Sequence, residues 1–252
     1  MNIPTLVAHR GDMARYPENS LPGLEAALRA GACMVEFDVQ INADGEPVLL
    51  HDSTLQRTAG VAAGIFSLHH RQLARLSVHE PQRFGDRFAP VAVPLLSDAL
   101  ELVARCRQAT ALVEIKHESL QHWGLETTMD KLLDTLDPYR RQCIVISFVP
   151  EALVYARAQG DWRTGWVTTR FDDEHRHRAH SFEPDILVCN HRKIPAGVRP
   201  WPGDWRWMLY DITDPALALD YARQGVDLIE TRDISAMLKD SVLKQRACSH
   251  GL

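Results

Sequence analysis

"EFDVQINADGEPVLLHD" (residues 36–52) has the pattern of a strand, a turn and a returning strand, and it places two acids inside the first strand. Side chains alternate along a β-strand, so Glu36 and Asp38 lie on the same face. Burying an unpaired carboxylate is costly, and two neighbouring carboxylates also repel one another. The stretch therefore predicts a strand with one charged face and a partner that neutralises it.

The turn in this stretch decides which residues of the two arms oppose one another. Asp44-Gly45 is typical of a two-residue hairpin turn. With these residues at the turn, Asp38 opposes His51, and directly opposed residues lie on the same face. The predicted register therefore brings Glu36, Asp38 and His51 together, and a slip of one residue would separate them.

Strand and helix patterns alternate along the chain. Apolar strand patterns occupy residues 5–9, 34–41, 47–51, 111–116, 143–148, 164–169, 185–190, 206–211 and 226–230. Helical patterns occupy residues 20–31, 97–108, 121–136, 150–160 and 214–225, with Ser20 and Asp214 as N-caps and Gly31 as a stop. Recurring βα units over 252 residues predict an α/β fold, a TIM (β/α)8 barrel, with residues 1–252 as one domain.

Two parts of the chain do not fit the simple βα repeat. The hairpin arm at 47–51 is one strand too many, because a tight turn makes antiparallel neighbours rather than a βα unit. The irregular residues 52–94 are expected to form a small cap over the mouth of the barrel.

Composition excludes several classes of function. The net charge is −5 and there is no basic block, so a nucleic-acid partner is not expected. No apolar run reaches the roughly 18 residues of a membrane span, and the start of the chain does not resemble a signal peptide. The five cysteines, Cys33, Cys106, Cys143, Cys189 and Cys248, form no C-x-x-C pair, which predicts reduced thiols and a cytoplasmic location.

Charged residues cluster at the ends of three predicted strands. His9 and Arg10 end the first strand, and Glu114 and Lys116 occupy alternate positions at the end of another. Active sites of (β/α)8 barrels lie at the carboxyl ends of the strands, so we expect these residues to join Glu36, Asp38 and His51 at one mouth.

The charges of this cluster suggest what it binds. Three carboxylates with Arg10 and Lys116 sum to about −1, which would repel an anion. A divalent cation changes the sum to about +1, which suits a phosphodiester monoanion. Carboxylate oxygens favour Mg²⁺, with Ca²⁺ as an alternative, over Zn²⁺. The sequence therefore predicts a carboxylate metal site that recruits a phosphate ester.

Seven motifs, in this order, resemble the bacterial glycerophosphodiester phosphodiesterase family. They are AHRG (8–11), PENS (17–20), VEFDVQINADGEPVLLHDSTLQRT (35–58), VPLLSDALEL (93–102), VEIK (113–116), ISFVPEAL (146–153) and GVDLIET (225–231). The resemblance implies a TIM barrel that hydrolyses glycerophosphocholine, glycerophosphoethanolamine and similar small substrates to glycerol 3-phosphate and an alcohol. It also implies the roles of the site residues: His9 and His51 as the acid–base pair, Arg10 and Lys116 as phosphate-binding residues, and Glu36, Asp38 and Glu114 as metal ligands.

The sequence departs from this family pattern near its end. Tyr210, in LYDITD (209–214), stands where the family often has a Trp, and ETRDI (230–234) replaces a T-D-x-P run. Both changes fall on the wall expected to contact the glycerol or the head group, so we expect them to affect the choice of substrate.

Other functions remain open at this point. A lysophospholipase D would use the same residues on lysophospholipids, and a non-catalytic barrel would only bind phosphate esters. The acids, Arg and Lys could also form a purely structural ion network. The sequence does not assign which histidine is the acid, nor whether water or a glycerol hydroxyl attacks.

Overall fold

The computed structural model describes residues 2–249 and has the predicted TIM barrel architecture. Eight parallel strands close into a barrel because β1 pairs with both β2 and the last strand, β9. The strands are β1 (Thr5–His9), β2 (Met34–Ile41), β3 (Pro47–Leu49), β4 (Thr110–Ile115), β5 (Cys143–Ser147), β6 (Thr164–Val167), β7 (Ile186–Asn190), β8 (Arg206–Tyr210) and β9 (Leu228–Thr231). β3 pairs antiparallel with β2 and is not one of the eight barrel strands, so the hairpin arm is the surplus strand as predicted. Residue 1 and residues 250–252, the ends of the predicted single domain, lie outside the described residues.

Helices connect the strands. They are α1 (Leu21–Ala30), α2 (Gln56–Ala59), α3 (His70–Leu73), α4 (Pro81–Phe84), α5 (Leu96–Ala104), α6 (His117–Trp123), α7 (Leu125–Leu136), α8 (Pro150–Ala158), α9 (Asp173–Phe182), α10 (Pro215–Arg223) and α11 (Ile234–Met237). Short 3-10 helices occupy Ile65–Ser67, Asp137–Gln142, His191–Lys193 and Leu243–Arg246. None of these described helices is long and apolar enough to cross a membrane.

The predicted helix ends depend on local capping. The Ser20 side chain accepts a hydrogen bond from the amide of Gly23, and Asp214 caps α10 in the same way. Gly31 ends α1 in the left-handed conformation, with φ of 103°. The helix predicted over 121–136 is instead two helices, α6 and α7, because Gly124 between them adopts a positive φ of 82° with ψ of 156°, a non-helical backbone that glycine adopts readily.

Alternation along the strands separates two apolar layers. One set of side chains fills the barrel interior, including Val7, Met34 and Leu112, while the other set packs against the surrounding helices. Glu36 and Asp38 follow Met34 at steps of two residues, and Glu114 follows Leu112 in the same way. The acids therefore point into the barrel, above its apolar interior.

The hairpin register differs from the predicted one. Val39 pairs with Leu49, and the amide of Leu50 donates to the carbonyl of Asp38, so Asp38 opposes Leu50 and not His51. The turn has three residues rather than two, with Gly45 in the left-handed conformation at φ of 78°. The predicted pairing was wrong because Asn42 draws a third residue into the turn by accepting the amide of Asp44 with its side chain.

Residues 52–94 form a compact insertion with its own apolar cluster, which includes Leu55, Ile65 and Leu73. It packs beside the carboxyl end of the barrel, where the Glu80 side chain accepts the backbone amide of Glu18 at 2.6 Å. Among the described residues, none from 52–94 lines the central cavity described below. The predicted cap therefore borders the mouth and does not cover it.

The prediction of five reduced cysteines is wrong. Cys33 and Cys248 form a disulfide that spans 215 residues, while Cys106, Cys143 and Cys189 are free and buried. The chain end reaches Cys33 because the amide of Cys248 donates to the carbonyl of Gly31 after α1. Sequence spacing could not reveal this pair, because the two segments meet only when the barrel closes.

Candidate active site

The site lies at the carboxyl ends of the strands, where the register sets which residues are neighbours. His9 on β1 lies beside Glu36 on β2, and Asp38 lies beside Glu114 on β4. Glu230 on β9 sits beside Val7 on the other side of β1. Because these positions all point inward, one barrel end gathers residues that are far apart in the sequence.

Three of the predicted acids form a compact group. One carboxylate oxygen from each of Glu36, Asp38 and Glu114 lies within 4.8 Å of the others, and all three residues are buried. A second group with the same spacing consists of His9, Glu36 and Glu230. Glu230 was missed as a site residue, although LIET (228–231) places an acid at a strand end in the same pattern that identified Glu36.

The environment splits the pKa values of the acids. Burial, and then repulsion from Asp38 and Glu230, raises the pKa of Glu36 well above its usual value. The pKa of Glu230 is also raised, mainly by burial and by Glu114. Burial opposes ionisation of Asp38 too, but Arg10 and Lys116 outweigh it and hold the Asp38 pKa below its usual range. The neighbouring cations therefore favour ionisation of Asp38 but do not offset the burial and mutual repulsion of Glu36 and Glu230.

Arg10 and Lys116 both contact the acids. Arg10 lies at 2.9 Å from Asp38 through Nε and donates from a terminal nitrogen to Glu18 at 3.0 Å. Lys116 donates through Nζ to Glu114 at 2.6 Å and to Asp38 at 3.2 Å. The fold therefore brings the predicted positions together, and both cations form ion pairs with the carboxylates in this structure.

The backbone after β1 makes these Arg10 contacts possible. Arg10 and Gly11 both adopt left-handed conformations, with φ of 53° and 84°. The Arg10 amide then donates to Glu36 at 3.1 Å while its side chain turns back to Asp38. A Cβ on Gly11 would lie 2.6 Å from the carbonyl carbon of Gly23, so only glycine fits this close approach to α1.

The two predicted histidines both line the same cavity, in different environments. His9 is partly buried, with Nε2 at 3.9 Å from Glu36, and burial together with Arg10 lowers its pKa to about 4. His51 is one third exposed, and its Nδ1 lies 2.6 Å from Asp52. His51 reaches the cavity despite the shifted register because β3 ends at Leu49 and the alternation of a strand no longer applies beyond it.

Several residues beyond the predicted set hold the site in place. Asn19, with φ of 51°, donates to the Asp38 carboxylate at 2.8 Å and accepts the Asp38 amide at 3.0 Å. Glu18 is buried and accepts hydrogen bonds from both Arg10 and Arg57. PENS (17–20) directly precedes a helix, so its sequence pattern indicates a helix start and does not indicate these contacts with residues distant in the sequence.

The central cavity has a volume of about 200 Å³. Tyr210, expected on the substrate wall, lines it together with Phe148 and with Asp211, for which the sequence analysis gave no role. Burial raises the pKa of Tyr210, so its phenol stays protonated at neutral pH and can donate a hydrogen bond. Apolar strand residues close the floor, including Ile146 and Met208. The cavity therefore combines one charged side with an apolar floor, on a scale that suits a small ester.

The acids fit a divalent cation. Within residues 2–249, the buried Oε1 of Glu36 has no hydrogen-bond partner, which leaves a buried acceptor in the cluster unsatisfied. The formal charge of the cluster is −2, counting the carboxylates Glu36, Asp38, Glu114 and Glu230 against Arg10 and Lys116. A dication would therefore bring the cluster to about zero, and not to the +1 that the sequence predicted from three carboxylates. An all-oxygen group is suited to Mg²⁺ or Ca²⁺.

Comparison with known proteins gives one consistent family. Residues 9–195 match the family model described as the glycerophosphoryl diester phosphodiesterase family. A glycerophosphodiester phosphodiesterase of Bacillus altitudinis is 30% identical over 129 residues, which are 51% of this chain and 52% of that protein. Glycerophosphodiester phosphodiesterase 1 of Bos taurus is 31% identical over 157 residues, 62% of this chain and 45% of that protein. The matched region thus spans about half the length of these curated relatives.

The fold matches solved structures over almost the whole chain. A phosphodiesterase of Oleispira antarctica, solved in complex with the product sn-glycerol-3-phosphate, superposes with a TM-score of 0.80 at 24% identity. The match covers 94% of this chain and 96% of that one. At this level of identity the similarity establishes the fold.

Proposed function

The chain belongs to the glycerophosphoryl diester phosphodiesterase family, and we propose that it hydrolyses glycerophosphodiesters, such as glycerophosphocholine and glycerophosphoethanolamine, to glycerol 3-phosphate and an alcohol. The observation that carries the proposal is the convergence of His9 and His51 with a buried carboxylate group around one small cavity. A barrel that only bound phosphate esters would need neither imidazole.

His9 is proposed as the general base. Its pKa of about 4 leaves the imidazole unprotonated at neutral pH, so it can accept the proton of the attacking water, or of a glycerol hydroxyl whose cyclic phosphate water then opens. His51 then supplies the proton to the leaving oxygen. Its Nδ1 contacts Asp52, so Nε2 is the ring nitrogen left to exchange a proton with the substrate.

Arg10 and Lys116 are proposed to hold the phosphate oxygens. An ammonium group has three N–H donors, and the contacts to Glu114 and Asp38 use two of them. The third donor of Lys116 is therefore suited to a phosphate oxygen. Arg10 offers five N–H donors in a fixed fork and suits a two-point contact with phosphate.

Glu36, Asp38 and Glu114 are proposed to hold a divalent cation, with Mg²⁺ preferred and Ca²⁺ as an alternative. When bound, such an ion offsets the charge of the buried acids and stabilises negative charge that develops on the phosphoryl group. The orphan oxygen of Glu36 and the −2 charge of the cluster support this assignment.

The proposal is tested by measuring glycerol 3-phosphate released from glycerophosphocholine in a coupled assay. We expect activity in the native protein and its loss in His9→Ala, in His51→Ala and after treatment with EDTA, with recovery on adding Mg²⁺. His177→Ala, which changes an exposed histidine on α9, is the control and should remain active. Full activity in either site variant would refute the acid–base assignment, and activity that survives chelation would refute the metal assignment.

The cytoplasmic location predicted from the cysteines stays a prediction. Its premise of five reduced thiols does not hold for Cys33 and Cys248, which form a disulfide. Structural disulfides persist mainly in oxidising compartments. Fractionation of source cells with an antibody to the protein would locate it directly.

A further inference from the structure

Charged hydrogen bonds, and one ion pair at the far end, connect His51 to the metal-ligand group by way of the insertion. From His51, Nδ1 contacts Asp52 at 2.6 Å, and the second oxygen of Asp52 accepts from Nε of Arg57 at 2.8 Å. The two terminal nitrogens of Arg57 donate to the two oxygens of Glu18 at 2.6 and 2.7 Å. Glu18 then accepts from Arg10, which contacts Asp38.

From this geometry we infer that Arg57 is a positioning residue, which fixes the ring of His51 through Asp52 and holds Arg10 over Asp38 through Glu18. The inference rests on the proposed function, because it names a residue that supports the same reaction. Arg57 lines a neighbouring cavity with Glu18 and Arg83 and not the central one, so its route to the reaction is through the side chains that it contacts.

The His51 end of this connection sets the tautomer of the ring. Hydrogen bonds from Arg57 and His51 outweigh burial and lower the pKa of Asp52, so its carboxylate is ionised at neutral pH. An ionised carboxylate only accepts hydrogen bonds, so Nδ1 of His51 must carry the hydrogen and Nε2 faces the reaction. Arg57 holds the other oxygen of the carboxylate and thereby fixes its orientation, as outer partners of catalytic histidines do.

The Glu18 end controls the direction of Arg10. Glu18 is buried, and Arg57 meets it with both terminal nitrogens, the strong two-point geometry of guanidinium and carboxylate. Without Arg57, Arg10 would be the remaining cation beside the Glu18 carboxylate within the part of the chain that the structure describes. Arg10 would then be drawn toward Glu18 and away from Asp38, which disturbs the side of the cavity proposed to bind phosphate.

The insertion offers a matched control. Arg83 also pairs with a buried glutamate, Glu80, at 2.5 Å, and it also donates to the loop after β1, at the Met13 carbonyl. Its exposure of 38% is close to the 44% of Arg57. Arg83 therefore anchors the insertion as Arg57 does, but its link to the site runs through Glu80 to the backbone amide of Glu18 and not to the carboxylate that Arg57 and Arg10 share.

The kinetic test compares Arg57→Gln with Arg83→Gln on glycerophosphocholine. We expect Arg57→Gln to lower kcat by about 10- to 100-fold through the displaced His51 ring, since outer-partner changes typically have effects of this size, and also to raise KM through the displaced Arg10. Arg83→Gln should keep most of the native kcat, even if it lowers the midpoint of thermal unfolding as much as Arg57→Gln does. Arg57→Lys should recover only part of the loss, since a point charge cannot span both carboxylates. Equal losses of kcat in the two Gln variants, or a loss confined to KM, would overturn the inference.

A second measurement does not depend on activity. Nitrogen-15 NMR of the histidine rings at pH 8 reports which nitrogen carries the hydrogen, and His51 is assigned by the signal missing in His51→Gln. We expect the Nδ1–H form in the native protein and in Arg83→Gln, and a mixture of tautomers in Arg57→Gln. An unchanged His51 signal in Arg57→Gln would refute the positioning role. A native protein that lacks phosphodiesterase activity but shows this pattern would refute the proposed function alone.

Discussion

The disulfide between Cys33 and Cys248 gives a quantitative prediction about stability. The double variant Cys33→Ser/Cys248→Ser removes a covalent link between the last described turn of the chain and the residue just before β2. Its loop spans 215 residues, close to the whole protein. In the unfolded chain this loop restricts conformational freedom, and the restriction disappears in the variant.

The magnitude follows from the loop length. The chain-entropy relation gives a stabilisation of about 5 kcal/mol at 25 °C for a loop of this size. This value is an upper bound, because the segment around Cys248 keeps few other contacts, among them the hydrogen bonds from the Cys248 amide to Gly31 and from Arg246 to Ile3, and it can open locally once the link is removed. For a chain of this length, 5 kcal/mol corresponds to a fall of about 10–20 °C in the midpoint of thermal unfolding.

Two measurements check this prediction. Thiol titration of the native protein in denaturant without reductant should find the three free cysteines, and five after reduction. Calorimetry should show a lower midpoint for the double variant, and added reductant should lower the midpoint of the native protein but not of the variant. Five titratable thiols without reductant, or equal midpoints for the native protein and the variant, would refute the reasoning.

Three further predictions concern the site and its frame. Because the pKa of His9 falls from 6.5 to about 4 on folding, His9 contributes a loss of stability of up to about 3 kcal/mol as pH falls through this window, while the raised pKa values of Glu36 and Glu230 contribute with the opposite sign; urea unfolding of metal-free native protein and of His9→Asn should therefore show the native protein losing more stability, or gaining less, than the variant between about pH 7 and about pH 4.5. Glu114→Gln should weaken Mn²⁺ binding in calorimetric titration more than Glu230→Gln does, and the reverse order would assign the ion to the group of His9, Glu36 and Glu230. Gly11→Ala should lower the midpoint of thermal unfolding strongly, since its Cβ would meet the Gly23 backbone at 2.6 Å. Gly60→Ala is the control, because Gly60 is also left-handed but has open space around it, and it should lower the midpoint less.

Features that depend on neighbours in the chain could be predicted from the sequence. The strand bounds of Thr5–His9 and Met34–Ile41 and the caps at Ser20 and Asp214 agree with the structure, because hydrophobic period and capping act over a few residues. The same local periodicity placed Glu36 and Asp38 on one face. The barrel itself followed from the repetition of βα units, because few topologies accommodate them.

Features that depend on distant parts of the chain needed the folded structure. The hairpin was predicted one residue out of register, because a single side-chain contact of Asn42 decides between two turn lengths of similar stability. The Glu18–Arg57 contact joins residues 39 positions apart, and the Cys33–Cys248 disulfide joins residues 215 positions apart. Glu230 joins the site only because β9 pairs with β1 when the barrel closes.

The sequence by itself determined which side chains face the barrel interior, since alternation along a strand is a property of its own backbone. Only the tertiary structure decided which of those side chains touch. Distances within the cluster depend on strand order and register around a closed barrel, and these are set by the packing of all eight parallel strands at once.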